Sequence, residues 1–209
     1  MKLYDYEISG SCYKVRLLLS MLNLPYEKIA VDFYPGKAHR QPDFLHINPL
    51  GQIPVLLDDD LVLRDAQAIL LYVAARYDTS STWYPTDPAT QGRIAMWQAF
   101  AGGELMQVSA VRLHDMLMGY EHIDADAARS GAYKALAILD QHLAECEMRG
   151  QQWIAAAHPT IADIACFAYP ALCHDGGIDR SGYHNINRWL RRVRALPGFI
   201  VMPGIPAYA

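Results

Sequence analysis

Asn48-Pro49-Leu50-Gly51-Gln52-Ile53-Pro54 decides how this 209-residue chain is read, because its second proline stands at the mouth of the apolar run Val55-Leu56-Leu57. A proline there donates nothing to a sheet ladder, so the chain just before it keeps open backbone groups. An Ile-Pro bond in a tight turn entering a strand is a candidate for the cis isomer. That isomer would turn the main-chain polar groups of Ile53 away from the sheet and toward an extended ligand. Only about 5 to 6% of X-Pro bonds in folded proteins are cis, so the local residues alone favour a trans proline at a strand start.

Working outward, Met1 to Tyr6 alternates like a strand, and Ser9-Gly10-Ser11-Cys12 leads into Val15, Leu17, Leu18, Leu19, Met21 and Leu22 at helical spacing. Asn23-Leu24-Pro25 stops that helix, and Tyr26 to Val31 reads as a second strand. Downstream, Asp58-Asp59-Asp60 turns the chain between Val55-Leu56-Leu57 and Leu61-Val62-Leu63, a hairpin. Asp65 then opens a helix whose apolar positions Ile69, Leu70, Val73 and Ala74 recur three to four apart. The order is βαβ, an irregular segment, then ββα.

Tyr77 to Asp87, rich in Ser, Thr, Asp and Pro, breaks the periodicity. The expected organisation is a first domain at residues 1–78, a linker at 79–87 and an all-helical domain at 88–209. In the latter, Ala89 to about Met118 reads as one long helix with room for a bend at Gly102-Gly103. Helices at Asp126 to about Met148, Thr160 to His174 and Tyr183 to Ala195 follow, with Pro170 expected to kink the third. Thr160-Ile161-Ala162-Asp163 has the form of a capping box that starts a buried helix and has no chemical role.

At 52% hydrophobic and 19% charged, the chain can bury one large core or two smaller ones. A net charge of −4 argues against a nucleic-acid partner, and the Arg188, Arg191, Arg192 and Arg194 cluster reads as a solvated helix face. No apolar run approaches the roughly 18 residues of a membrane span, and the N-terminus reads as strand rather than signal peptide, which places the protein in the cytoplasm. The four cysteines have neither metal nor redox spacing, and the eight histidines form no ligand pair, so no metal site is expected.

Three segments in register, SGSCYKVRLLL from Ser9, HINPLGQIPVLLDDDLVLRDAQAILLYVAARY from His46 and PTIADIACFAYPAL from Pro159, make the whole chain resemble the cytosolic glutathione transferases, here the bacterial, serine-type kind. That family joins a thioredoxin-like βαβ-ββα domain to an α-helical bundle, and its Asn-Pro-x-Gly-x-(Val/Ile)-Pro turn carries a cis-proline. The resemblance implies glutathione as co-substrate, a small hydrophobic electrophile as its partner, and a homodimer.

Candidate chemistry lies at the start of the first helix, where several N–H groups lack internal partners and the helix dipole favours an anion. A hydroxyl there can donate to a thiolate. Ser9 and Ser11 are the candidates, and a plain N-cap is the simpler reading for a serine in such a place. By resemblance, Ser9 matches the catalytic position of serine-type and cysteine-type classes, and Ser11 supports the same sulfur. Cys12 stands beside them, while Tyr4 and Tyr6 fall within the first strand. A drop of about two pH units in a thiol's pKa raises its thiolate roughly 25-fold at pH 7, but the less basic sulfur is about 8-fold less nucleophilic. Ionisation alone therefore leaves about 3-fold, and positioning of the electrophile must supply the rest.

The resemblance also gives glutathione its partners. His39, Arg40 and Gln52 match positions at the glycine end, and Ile53, before Pro54, pairs its backbone with the cysteinyl unit. Asp65-Ala66 replaces the usual Glu-Ser pair at the γ-glutamyl end. Asp65 keeps the charge, but Ala66 lacks the hydroxyl that receives the carboxylate, at a cost of about 1.5 to 3 kcal/mol that the Ala66 and Gln67 N–H groups would partly offset. Met106, Leu113, Met116, Met118 and Tyr120 are candidates to line a second pocket between the domains, against the plainer reading of helix-spaced Met and aromatic residues as core. Two other readings stand beside conjugation. One is a glutathione-dependent thiol-disulfide oxidoreductase or peroxidase, motivated by Cys12. The other is a binding protein without turnover, motivated by Ala66.

Overall fold

In the computed structural model, which describes residues 1–205, β1 (Lys2–Asp5) buries Leu3 and Asp5 on one face and turns Tyr4 to the other. It pairs in parallel with β2 (Glu27–Ala30) and antiparallel with β3 (Val55–Asp58), which pairs antiparallel with β4 (Leu61–Arg64). The sheet order is β2-β1-β3-β4. Leu3 lies opposite Leu56 and Tyr4 opposite Val55, so the two faces of the sheet carry different cores. Leu3 and Leu56 pack with α1 (Gly10–Met21) and α3 (Ala66–Tyr77), whereas Tyr4 and Val55 pack with Val31 and Phe44. The domain is thioredoxin-like.

Phe44 belongs to a short helix, α2 (Pro42–Ile47), in the segment expected to be irregular. Pro42 starts it where a missing N–H costs nothing, and a 3-10 turn at Ala38–Arg40 precedes it. Six residues are too few to show a helical period.

The remainder is helical. The long helix expected from Ala89 to Met118 is two helices, α4 (Pro88–Gly102) and α5 (Met106–Met116). Gly102 and Gly103 each cost about 1 kcal/mol in a helix interior, and Gly103 leaves helical geometry at φ −108° and ψ −89°. Next come α6 (Ala125–Met148) and α7 (Ile161–Ala171), and after a 3-10 turn at Cys173–Gly176, α8 (His184–Arg194). The α-helix expected to reach His174 thus stops at Ala171, with Pro170 in its last turn, and then tightens. Residues 206–209, which the expected helical domain includes, lie outside the described residues.

Every residue of α7 is buried, and its capping box is closed in both directions by Thr160 and Asp163. Asp163 also accepts from the Trp189 indole at 2.9 Å and the Ile154 N–H at 3.2 Å, which ties α7 to α8 and to the loop before it. Arg188 and Arg192 of α8 pair with Glu147 at 2.7 and 3.0 Å. One hydrophobic cluster runs from Leu3 through Leu17 and Phe167 to Trp189, and a small second one lies under α2. Among the described residues all four cysteines are free and buried, no group of side chains could hold a metal, and no helix is long and apolar enough to cross a membrane.

Candidate functional site

The turn from β1 into α1 places Ser9 as the N-cap of α1, with its Oγ accepting the Cys12 N–H at 3.2 Å. Accepting that bond leaves the hydroxyl proton free to donate outward. The turn is held from behind by Arg16, which donates to the Glu7 carbonyl at 2.8 Å and the Tyr6 carbonyl at 3.4 Å while pairing with the buried Asp5. A side chain at Gly10 would meet the Tyr169 ring, since a Cβ there would stand 2.8 Å from Cε1. The hydroxyl of Ser9 is thus fixed by hydrogen bonds, an ion pair and packing together.

Ser9 and Ser11 open onto a cleft of about 420 Å³ between the two domains, within the range of small-molecule sites. From the thioredoxin-like side, His39, Arg40, Gln52, Ile53, Pro54, Asp65 and Ala66 line it. The Ile53-Pro54 bond is cis, and the Ile53 N–H and carbonyl take no hydrogen-bond partner within the described residues. From the helical side come Met106, Leu113, Met116 and Tyr120. Two of the expected residues stay out of the cleft. Cys12 is fully buried beneath it, and burial pushes its thiol up to about 12; Met118, past the end of α5, is 74% exposed.

At the head of α3, Asp65 Oδ1 accepts the Gln67 and Ala68 N–H groups at 2.8 and 3.1 Å. The Gln67 N–H, expected to help receive a ligand carboxylate, is therefore already engaged, which leaves that of Ala66. His39 is 1% exposed and lies flat on Phe33, with ring centroids 4.0 Å apart, and neither ring nitrogen has a partner. Burial, with Arg40 and Lys37 nearby, keeps it neutral by lowering its pKa.

Sequence reading missed several cleft residues. Tyr6 lies just past β1 rather than within it, and its ring stacks on Phe33, which also faces Tyr120 across 6.5 Å in near-parallel planes. Burial first, then Asp32, pushes the Tyr6 phenol up and keeps it protonated. Arg112 of α5 is buried on Asp175 at 2.9 Å and donates to the Ile8 carbonyl at 3.3 Å, next to Ser9. Tyr169 of α7 reaches the cleft wall, with its hydroxyl 2.9 Å from Ser11 Oγ. The even spacing of Tyr4 and Tyr6 was a signal for Tyr6; nothing local marks Tyr169.

The arrangement provides a fixed hydroxyl at a helix N-terminus, an unpaired strand-like backbone at Ile53, a carboxylate at Asp65 and an apolar wall on the helical side. Comparison with known proteins bears on the family of the chain. The family description "Glutathione S-transferase, N-terminal domain" matches residues 3–81, and "Glutathione S-transferase, C-terminal domain" matches residues 110–197. The chain is 30% identical to glutathione S-transferase 3 of Zea mays, over 82% of this chain and 78% of that one. A crystal structure of a possible glutathione S-transferase from Rhodopseudomonas palustris superposes with a TM-score of 0.85 at 32% identity, covering 100% of this chain and 92% of that one. Ure2p in complex with glutathione shares the fold, with a TM-score of 0.84 at 23% identity, covering 94% and 95%. Two family matches that together span most of its length, on a thioredoxin-like domain joined to a helical one, make this chain a member of the glutathione S-transferase family.

Proposed function

We infer that the protein is a serine-type glutathione transferase that conjugates the thiolate of glutathione to a small hydrophobic electrophile. The observation that carries this reading is the Ser9 hydroxyl, anchored as acceptor at the α1 N-terminus with its proton free, in the same cleft as the open backbone of Ile53. Glutathione would lie extended along Ile53, with its ammonium toward Asp65 and its glycine end toward His39, Arg40 and Gln52. Its thiol proton leaves to solvent, and Ser9 donates to the sulfur that remains. The apolar residues Met106, Leu113, Met116 and Tyr120 would hold the electrophile beside that sulfur.

Cys12 offers little to a disulfide-exchange reading, since its thiol is sealed from the cleft and held protonated by burial. A homodimer is part of the proposal, supported by exposed Leu61 and Val62 on β4, Leu71 on α3 and Met96 on α4. So is a domain boundary within residues 79–87, where neither helix nor strand forms.

The test is a glutathione titration followed by a conjugation assay with a generic aryl halide, on the wild type and on Ser9→Ala, Tyr6→Phe and Cys12→Ser. Conjugation that falls at least tenfold in Ser9→Ala and far less in Tyr6→Phe supports the reading. Loss in Cys12→Ser with retention in Ser9→Ala would move the activity to the cysteine, and binding without conjugation would leave a binding protein.

A further inference from the structure

Lys14 sits in the middle of α1 with its side chain fully buried, and its ammonium has no hydrogen-bond partner. Nζ stands 4.5 Å from the centroid of the Tyr169 ring. The titratable groups that bear on it are Tyr169 and Cys166 from α7 and Asp65 at the head of α3. Asp65 is exposed and caps its own helix, and burial holds the Cys166 thiol protonated. The aromatic face is therefore the nearest compensation for this charge.

At the edge of that ring, the Tyr169 hydroxyl is 2.9 Å from Ser11 Oγ, in the wall of the cleft that holds Ser9. The Ser109 side chain of α5 also hydrogen-bonds the phenol, and the charge of Arg112 and the Cys12 thiol bear on it. A cation on the face of a phenol draws electron density from the ring, which makes the hydroxyl a stronger donor. If Tyr169 donates to Ser11 Oγ, the Ser11 proton is released to point into the cleft. The chain Lys14, Tyr169, Ser11 then ends in the same cleft as Ser9.

We propose that Lys14 and Tyr169 are positioning residues that act through Ser11, making it a second hydroxyl donor to the glutathione sulfur. This rests on the conjugation reading above and adds to it a polarised arm that runs from Lys14 of α1 through Tyr169 of the helical domain and back to Ser11 of α1. Burial lowers the Lys14 pKa to about 8, so the ammonium still carries its charge at pH 7. An unpaired charge kept in a dry core without a function is a standing cost.

The experiment titrates the bound glutathione thiol by the ultraviolet absorbance of its thiolate in the wild type, Ser9→Ala, Ser11→Ala, Tyr169→Phe and Lys14→Met. Tyr169→Phe keeps the ring and the packing and deletes only the hydroxyl. It and Lys14→Met are each expected to raise the thiol pKa by about one half to one pH unit, leaving about 1.5- to threefold less thiolate at pH 7, with little change in glutathione affinity. In the Ser11→Ala background the Lys14→Met change should vanish, which a merely structural lysine would not produce. A pKa that moves in Ser9→Ala but not in Tyr169→Phe or Lys14→Met overturns this inference alone. A pKa indifferent to Ser9→Ala, or glutathione that does not bind at all, overturns the underlying reading and this inference with it.

Discussion

Replacing Lys14 by methionine is expected to stabilise the protein. The native ammonium has no polar partner, and its pKa falls from 10.5 to about 8 on burial. At 1.36 kcal/mol per pH unit, that fall corresponds to about 3 kcal/mol of native-state penalty. The contact with the Tyr169 ring, worth about 1 to 2 kcal/mol, is lost in the variant, so the net gain at pH 7 is about 1 to 2 kcal/mol. For a chain of this size that raises Tm by about 2 to 8 °C. The pH dependence gives a second check. Below about 8 the lysine is charged in both states and the penalty is complete. Between about 8 and 10.5 the unfolded chain holds a proton the native protein has shed, so wild-type stability climbs with pH. The methionine variant lacks that climb, and its advantage shrinks toward pH 10. Urea unfolding at pH 7 and pH 10 measures both. A variant less stable than the wild type at pH 7, or a difference independent of pH, would refute the idea that the ring only partly compensates this ammonium.

Two further outcomes are expected. Ala66→Ser should tighten glutathione binding about tenfold by isothermal titration, because only the Ala66 N–H remains for a ligand carboxylate once Asp65 has capped Gln67 and Ala68. Arg16→Met should lower unfolding free energy by about 3 to 5 kcal/mol, since it strips the buried Asp5 of its nearest cation and frees the carbonyls of Tyr6 and Glu7.

The thioredoxin-like part was legible because its signals are local. Alternation marks β1, helical spacing marks α1 and α3, and Asn23, Pro25 and the Asp58-Asp59-Asp60 run punctuate them. The short helix over residues 42–47 was not legible, because one and a half turns show no period. The break between α4 and α5 was half visible, as two glycines permit either a bend or a stop, and packing chose the stop. Within the cleft, Ser9 and Ile53 lie beside signals that any reader of the chain would mark, a helix start and a proline turn. Cys12 lies three residues past Ser9, but Ser9 is the cap outside α1 and Cys12 lies within the helix, where its side chain is fully buried. Tyr169 sits in a helix buried all round, where a tyrosine looks like filling, and its neighbour Ser11 is 158 residues away. Contacts of that range depend on how whole layers pack, and no window of sequence contains them.

The continuous cluster from Leu3 to Trp189 has a consequence for the proposed boundary at 79–87. Topologically the chain has two parts, but cutting it there would leave each fragment with a raw apolar flank, because α1 and α3 lean on α7 rather than on solvent. Heating should therefore melt the whole molecule in one step, and the cleft should lose its shape together with everything else instead of opening first.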